Sequence, residues 1–302
     1  MSDTPGGAVH SYAWVDGAVV PRDEARVSID DFAVRYGAAC FETMLARGGR
    51  VFRLAAHLDR LEGGLRAMGV EVPDRAILER AVDETLAANA LTAPDAGASV
   101  RLTMTAGRGH VPALSAASGP SVIVTVDPLP PPSDPPRLRV VSTRIDARRP
   151  LRGAKTSHFL PYLLARAEAR AAGADDAVLL NHDGAIVEAA TANLFVLRDG
   201  TLHTPALDDG PLPGVTRAAL IEVARSLDVA VVERTLGLGD LAQAEAILLT
   251  SSIAGVVCAA SLMAVVPEAP SHLDWTARDP APPVLARLIE AYEALVGDER
   301  QP

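Results

Sequence analysis

A single lysine stands out among the residues that could do chemistry. The chain contains 28 lysine and arginine residues, and Lys155 is the only lysine among them. Arginine keeps its proton at any working pH, whereas a buried lysine loses its proton readily and can then attack a carbonyl as a neutral amine. The composition therefore marks Lys155 as the position where an amine is chemically required. A solvated loop lysine kept by chance is the alternative.

A lone carboxylate lies within a small, apolar segment farther along the chain. Glu188 is flanked by valine and alanine residues, and Asn193-Leu194-Phe195 follows it. A buried acid needs a partner, and a cationic ring nitrogen would provide one. Hydrogen bonds from the local backbone would satisfy the carboxylate equally well, so both interpretations stay open at this point.

Two segments could bind an anion. Gly214-Val215-Thr216 precedes an amphipathic helix, for which Thr216 is the predicted N-cap, and helix N-termini bind phosphate. Ser252 belongs to a hydroxyl cluster that follows an apolar strand. An ordinary helix cap and an ordinary turn are the alternatives for these two segments.

Arginines could supply further anion contacts. Arg60 lies beside the apolar face of its predicted helix, where a phosphate is one possible partner and an ion pair with Asp59 or Glu62 is the other. Arg108 and His110 lie in a glycine-containing loop that could hold a carboxylate, although a solvated loop is the simpler interpretation.

Taken together, these residues supply an amine, an acid for a ring nitrogen, a phosphate-binding helix start, a hydroxyl cluster and an arginine. Pyridoxal 5′-phosphate needs this combination of groups. The residues therefore predict that cofactor, and neither the cysteine nor the histidine spacing predicts a metal site.

The elements that must position these residues alternate between strands and helices. The hydrophobic patterns predict helices over 54–68, 74–90, 160–172, 216–227 and 284–296, and strands over 13–20 (as a hairpin), 39–46, 50–53, 99–105, 121–126, 138–142, 177–180, 193–197, 229–233 and 246–249. Residues 1–10 are predicted to be a loose tail and 267–283 a polar loop. The fold class is thus α+β or α/β with two domains: a small N-terminal α/β domain at 1–126, a proline-rich linker at 127–136, and a large C-terminal cofactor-binding domain at 137–302.

Composition excludes several other classes of protein. The formal net charge is -10 and no basic stripe is present, which argues against binding to nucleic acid. No window approaches 18 apolar residues, and no charged start precedes an apolar run, so neither a membrane span nor a signal peptide is expected. The two cysteines cannot form a disulfide framework, and we expect a cytoplasmic protein.

In their order and spacing, these motifs resemble the class IV aminotransferases, the fold-type IV pyridoxal-phosphate family that includes the D-amino-acid and branched-chain aminotransferases and aminodeoxychorismate lyase. The resemblance extends from about residue 27 to about residue 257. It rests on Tyr36-Gly37 with Phe41-Glu42, on the segment His57 to Leu61, on Lys155 before a helix, on Glu188 with Asn193-Leu194-Phe195, on Gly214 to Arg217, and on Thr250-Ser251-Ser252.

The resemblance implies a fold and a set of roles. The fold would be the two-domain, D-amino-acid aminotransferase-like fold, assembled as a homodimer with active sites at the subunit interface. Lys155 would form the aldimine and move the Cα proton, and Glu188 would keep the pyridine nitrogen protonated. The resemblance further implies a phosphate site made by Arg60, Val215, Thr216 and Ser252, a cofactor contact from Asn193, and a substrate contact from Phe41.

The reaction implied is transfer of an amino group between an amino acid or amine and a 2-oxo acid. Two departures argue against the branched-chain subgroup: Thr191-Ala192 stands where those enzymes have Gly-Glu, and Phe159 replaces their tyrosine at the cofactor's phenolic oxygen. The Gly-Arg-Gly loop at 107–109 looks more like aminodeoxychorismate lyase, which releases 4-aminobenzoate and pyruvate and is the second hypothesis. A non-catalytic cofactor-binding relative is the third.

The substrate carboxylate needs a cation or an amide nest, and three arginines are candidates. Arg108 ranks first, because its Arg-x-His spacing with His110 resembles the carboxylate trap of D-amino-acid aminotransferases. Arg35 ranks second because it precedes Tyr36-Gly37. Arg101 ranks third, since a predicted strand position is as consistent with an exposed rung of the sheet.

Overall fold

The computed structural model describes residues 11–264 and 273–298, and within them the chain forms two compact units. Unit 1 contains 11–131 together with Ala154–His158. Unit 2 contains Pro132–Gly153 and the described part of Phe159–Asp298. The short stretch around Lys155 therefore packs with the N-terminal part of the chain, although it lies beyond the predicted linker. The predicted domain boundaries themselves stay a prediction.

Unit 1 combines α-helices with one six-stranded sheet. Its elements are β1 (Tyr12–Val15), β2 (Ala18–Pro21), α1 (Phe32–Tyr36), β3 (Ala39–Arg47), β4 (Arg50–Val51), α2 (Leu54–Ala67), α3 (Arg75–Ala88), β5 (Gly97–Thr105), a 3-10 turn (Leu114–Ala116) and β6 (Val122–Pro128). The strands form an antiparallel sheet in the order β2-β1-β6-β5-β3-β4, on which α2 and α3 pack. Asp74 caps α3 by accepting a hydrogen bond from the Ala76 amide at 3.1 Å.

Unit 2 contains two five-stranded sheets in the described residues. Its elements are β7 (Arg137–Ile145), α4 (Leu160–Ala171), β8 (Asp176–Asn181), β9 (Ile186–Ala189), β10 (Asn193–Arg198), β11 (Thr201–Thr204), a 3-10 turn (Leu207–Asp209), α5 (Val215–Ser226), β12 (Val231–Glu233), α6 (Leu238–Ala242), β13 (Ala246–Ser251), β14 (Gly255–Cys258), β15 (Ser261–Ala264), β16 (Leu273–Thr276) and α7 (Pro283–Asp298). The sheet orders are β12-β11-β10-β13-β14 and β16-β15-β7-β8-β9.

The core of unit 2 lies between these sheets. One apolar cluster contains buried residues from both, including Val178 and Ile186 from one sheet and Val196 and Ile247 from the other. A second cluster lies under α4, whose Ala165 and Ala169 are fully buried against β7 and β8. The small side chains on α4 allow the helix to lie close to its sheet. No helix in the described ranges is both long and apolar enough to cross a membrane.

The structure confirms the predicted helices and most of the predicted strands, with ends shifted by a few residues. Several short elements were not predicted: α1, α6, β9, β14, β15 and β16. The loop predicted over 267–283 is partly wrong, because β16 pairs with β15 and α7 begins at Pro283; residues 267–272 of that loop, like the tail at 1–10, lie outside the described residues. The linker prediction is also too long by two residues, since Asp127 and Pro128 complete β6 opposite β5.

A glycine in α2 sets how closely that helix approaches the strand beneath it. A Cβ placed on Gly64 would lie 2.8 Å from the Cys40 Sγ and 3.0 Å from the Ala154 Cβ, whereas nothing lies within 4 Å of one placed on the adjacent Gly63. Because Ala154 precedes Lys155, the bare backbone at Gly64 leaves the space in which the lysine segment docks.

The first prediction compares these two glycines. Gly64→Ala should destabilise the protein by about 1–3 kcal/mol, because the added methyl group overpacks the contact with Cys40 and Ala154. Gly63→Ala should instead stabilise it by roughly 0.5–1 kcal/mol, since alanine loses less conformational entropy than glycine in a helix. Urea unfolding of both variants measures the two free energies, and equal effects at the two positions would contradict the proposed close contact.

Candidate active site

The backbone around Lys155 is fixed by strand-like pairing within unit 1. The Phe41 amide donates a hydrogen bond to the Lys155 carbonyl at 2.9 Å, and the Ser157 amide donates to the Ala39 carbonyl at 2.8 Å. These bonds attach the lysine segment to the first residues of β3, where Cys40 and Thr156 form an isolated bridge. The lysine therefore projects from a fixed main chain, as its proposed chemical role requires.

An aromatic ring lies next to the lysine amine. The Lys155 Nζ is 4.6 Å from the centroid of the Phe41 ring, and the Arg101 guanidinium carbon is 3.8 Å from the same centroid. In the part of the chain that the structure describes, the Arg101 side chain makes no hydrogen bond or ion pair. The structure thus brings Phe41, Lys155 and Arg101 together, with a guanidinium that is available to an anion.

Arg60 is held by a buried carboxylate that the sequence analysis did not assign a role. Its Nε and Nη2 donate to the two oxygens of Glu42 at 2.8 and 2.6 Å, and the Glu42 Oε2 lies 2.7 Å from the His57 Nδ1. Burial alone would raise the pKa of Glu42, but the hydrogen bonds from Arg60 and His57, and their charges, lower it below its usual range.

The alternative in which Arg60 pairs with Asp59 or Glu62 is wrong, because both acids pair with Arg75 instead. Glu42 lies on β3, and His57 and Arg60 are three residues apart on α2, so they lie on one face of the helix. The sequence does contain a signal for this ion pair. Glu42 lies within the apolar pattern of its strand, and a buried charge requires a cationic partner.

The Glu188 carboxylate of unit 2 is buried and receives several hydrogen bonds. Its Oε2 accepts from the Asn193 Nδ2 at 3.1 Å and from the Leu212 amide at 3.0 Å, and its Oε1 accepts from the Tyr162 hydroxyl at 3.3 Å. Asn193 also donates to the Leu212 carbonyl at 2.8 Å. A backbone amide therefore donates to one oxygen of Glu188 and a phenol to the other. This arrangement is compatible with both interpretations of Glu188 that the sequence left open.

The start of α5 lies next to Asn193. The residue that caps the helix is Gly214, which offers no side-chain hydrogen bond, so the prediction that Thr216 is the N-cap is wrong. Thr216 instead lies in the first turn of the helix and is buried, as is Val215. A Cβ on Gly214 would lie 1.9 Å from the Asn193 Oδ1, so glycine is required where the two segments meet.

The groups around this helix start fit a phosphate. The Thr250 side chain is buried, and its hydroxyl has no hydrogen-bond partner among the described residues. Thr250 pairs directly with Asn193 across β10 and β13, and Ser252 follows in the turn after β13. An uncapped helix N-terminus and an unsatisfied hydroxyl suit an anion with several acceptor oxygens.

All three candidate arginines are exposed: Arg101 lies on β5, Arg35 on α1, and Arg108 on the loop that follows β5. Arg35 donates to the Gly109 carbonyl at 2.8 Å, so it contacts the loop that carries Arg108 and His110. The His110 side chain is 82% exposed, and its Nδ1 lies 3.9 Å from a carboxylate oxygen of Asp30. These three residues are thus close together, whereas Arg101 is the candidate that shares an aromatic neighbour with Lys155.

Known proteins are similar to this chain over most of its length. The family described as amino-transferase class IV matches residues 39–262. A putative branched-chain-amino-acid aminotransferase of Methanocaldococcus jannaschii is 32% identical over 253 residues, which cover 81% of this chain and 85% of that protein. An aminodeoxychorismate lyase of Vibrio harveyi is 29% identical, over 80% of this chain and 88% of that protein.

Solved structures share the fold. The branched-chain aminotransferase of the thermophilic archaeon Thermoproteus uzoniensis, solved with norvaline, superposes with a TM-score of 0.84 at 28% identity, over 95% of this chain and 95% of that one. The predicted fold class is therefore confirmed, and most of the candidate site residues lie within the region that the family match covers.

The second prediction concerns Glu42. Glu42→Gln should destabilise the protein by about 3–5 kcal/mol near neutral pH, because it leaves the buried Arg60 guanidinium without its anion. Because the folded protein lowers the pKa of Glu42, its contribution is present above the unfolded pKa and is lost as the pH falls through the folded value. The gap between wild type and variant in urea unfolding should therefore narrow in acid.

The matched control for this measurement is Glu71→Gln, which removes an exposed carboxylate. Its free energy of unfolding should stay close to that of the wild type at every pH. If the gap for Glu42→Gln were small or did not change with pH, the carboxylate would not be acting as a buried anion.

Proposed function

Because this chain belongs to the class IV aminotransferase family, and is therefore a pyridoxal-phosphate-dependent enzyme, we propose that Lys155 is its catalytic amine and that its substrates are an amino acid or amine and a 2-oxo acid. The observation that carries the assignment is the fixed backbone of the only lysine, paired to β3 with its amine 4.6 Å from the Phe41 ring. An amine that repeatedly gains and loses a proton must be held in its productive position, and a fixed backbone helps to hold it there.

The cofactor, when bound, supplies an electron-withdrawing ring that stabilises the negative charge left when a proton leaves the substrate Cα. The protein's own residues do the rest. Lys155 would take that proton on its Nζ and return it at the neighbouring carbon, and Glu188 would pair with the ring nitrogen and keep it cationic. Asn193 acts through Glu188, to which it donates a hydrogen bond.

We propose that the phosphate is held by Arg60, the Val215 and Thr216 amides, the Thr216 hydroxyl and Ser252. Two observations support this assignment: among the described residues the buried Thr250 hydroxyl has no hydrogen-bond partner, and the start of α5 has no side-chain cap. Glu42 also supports this assignment, because it accepts two hydrogen bonds from Arg60 and so fixes the plane of the guanidinium.

For the substrate carboxylate we now place Arg101 ahead of Arg108 and Arg35. The supporting observation is that Arg101 and Lys155 lie over the same Phe41 ring, within 3.8 and 4.6 Å of its centroid. An oxo acid that reacts at the lysine position carries its carboxylate only two bonds away, so a nearby guanidinium can bind it. Arg108 and His110 remain candidates through their resemblance to the carboxylate trap.

Lysis of aminodeoxychorismate is the second candidate function, supported by the similarity to the Vibrio harveyi enzyme. Both reactions begin with loss of the Cα proton to Lys155, and they differ in whether the substrate then eliminates. We further propose a homodimer in a reducing, cytoplasmic setting. The exposed leucines of α4, Leu160, Leu163 and Leu164, support an apolar contact with a second subunit, and both cysteines are free.

The third prediction tests the reaction and the amine together. Borohydride treatment of the holoenzyme should attach a pyridoxyl group to Lys155, which peptide mass spectrometry would detect. Lys155→Arg should keep the fold and abolish turnover, because arginine keeps the charge and cannot act as the amine. Product analysis with L- and D-amino acids, amines and aminodeoxychorismate should show a 2-oxo acid released from an amino donor; release of 4-aminobenzoate with pyruvate would establish the lyase instead.

The fourth prediction separates the candidate arginines. Arg101→Met should lower kcat/KM for the 2-oxo acid by about 10- to 150-fold, the equivalent of one charge-assisted hydrogen bond of roughly 1.5–3 kcal/mol. Arg108→Met is the matched comparison and should have the smaller effect. Retention of the cofactor, followed by its absorbance after dialysis, should be the same in both variants. If Arg108→Met lowered kcat/KM more than Arg101→Met does, the contact with the substrate carboxylate would be assigned to Arg108.

A further inference from the structure

Tyr162 lies one helical turn after Phe159, which stands where the resemblance to the branched-chain enzymes implies a tyrosine. The two rings stack with centroids 4.8 Å apart and planes inclined by 13°. Tyr162 projects from the first turn of α4, and its hydroxyl lies 3.3 Å from the Glu188 Oε1. A hydroxyl group is therefore present in this part of unit 2, and it contacts the carboxylate.

The direction of the hydrogen bond follows from the neighbours of the hydroxyl. The Arg149 Nη2 lies 3.4 Å from the Tyr162 oxygen and 3.1 Å from the Gly210 carbonyl. A guanidinium can only donate, so the phenol oxygen accepts from Arg149, and its single hydrogen is left to point at Glu188. Gly210 makes room for this arrangement, since a Cβ there would lie 3.1 Å from the Ala147 Cα and 3.3 Å from the Arg149 Nη1.

The phenol also stays neutral at any working pH. Burial raises the pKa of Tyr162 well above its usual value, the Glu188 carboxylate raises it further, and Arg149 opposes the shift only in part. A neutral phenol beside a carboxylate is a permanent donor, so it stabilises the ionised form of Glu188 without competing with it for the proton.

We propose that Tyr162 is a positioning residue for Glu188: it donates to the Oε1, adds to the donors Asn193 and Leu212, and keeps the carboxylate ionised and oriented toward the ring nitrogen. This inference rests on the proposed role of Glu188. The donors on Oε2 fix one oxygen, and the Tyr162 hydroxyl limits rotation of the carboxylate about its terminal bond. Without it, the anion is less stabilised and attracts the proton of the ring nitrogen more strongly.

The test uses Tyr162→Phe holoenzyme loaded with pyridoxal phosphate that carries ¹⁵N in the ring. At one fixed pH, the ¹⁵N resonance should move toward that of a neutral pyridine, because the proton shifts from nitrogen toward the carboxylate oxygen. Turnover should fall by about 3- to 10-fold, which is less than the roughly 10- to 150-fold equivalent of a hydrogen bond to a charged group, because the 3.3 Å contact acts on the ring only through Glu188. The ring stack on Phe159 is kept, so the melting temperature should change little.

Two further variants make the result decisive. Tyr292→Phe is the matched control, since it removes the hydroxyl of another buried tyrosine of unit 2, and it should leave the ¹⁵N resonance in place. Glu188→Gln should move the resonance farther than Tyr162→Phe does. If Glu188→Gln moves the resonance and Tyr162→Phe does not, the role of Tyr162 is overturned while that of Glu188 stands. If Glu188→Gln leaves it unmoved, the proposed function of Glu188 itself fails.

Discussion

Each unit contains a buried carboxylate that must be surrounded by donors, and much of the local structure follows from that requirement. Glu42 and Glu188 are 0% and 5% exposed, and an ionised group at such depth is tolerated only with hydrogen bonds to its oxygens. In unit 1 the donors come from the helix packed on β3, which fixes the orientation of Arg60. In unit 2 they come from an asparagine side chain, a loop amide and a tyrosine, which together fix the orientation of Glu188.

Glycine makes these close approaches possible. The bare backbone of Gly64 allows α2 to lie against Cys40 and Ala154, and that of Gly214 allows the start of α5 to meet the Asn193 side chain. Gly64 faces the residue that precedes Lys155, and Gly214 faces Asn193, so both positions adjoin a segment with a proposed role in binding or catalysis. Packing and chemistry are therefore coupled: a methyl group at either glycine would displace a functional segment rather than merely strain the core.

The long amphipathic helices and apolar strands could be predicted because their periodicity is local. The same is true of Lys155 and Glu188, which stand out by residue type in the linear sequence. Short strands such as β16 could not be predicted in this way, because four residues carry little pattern and the pairing partner β15 supplies the stabilisation. Partners that are distant in sequence were missed for the same reason. Nothing near Glu188 in the sequence identifies Tyr162, 26 residues earlier, as a hydrogen-bond donor.

The attachment of the lysine segment to β3 has a consequence for how the amine moves. With the Lys155 carbonyl and the flanking Ser157 amide both bonded to strand residues, the main chain cannot shift without breaking sheet-like hydrogen bonds. All displacement of the Nζ must then come from rotation about the single bonds of its flexible four-carbon stem. The amine can consequently move between the two carbons of the proposed proton transfer, while β3, which anchors its main chain, stays in place.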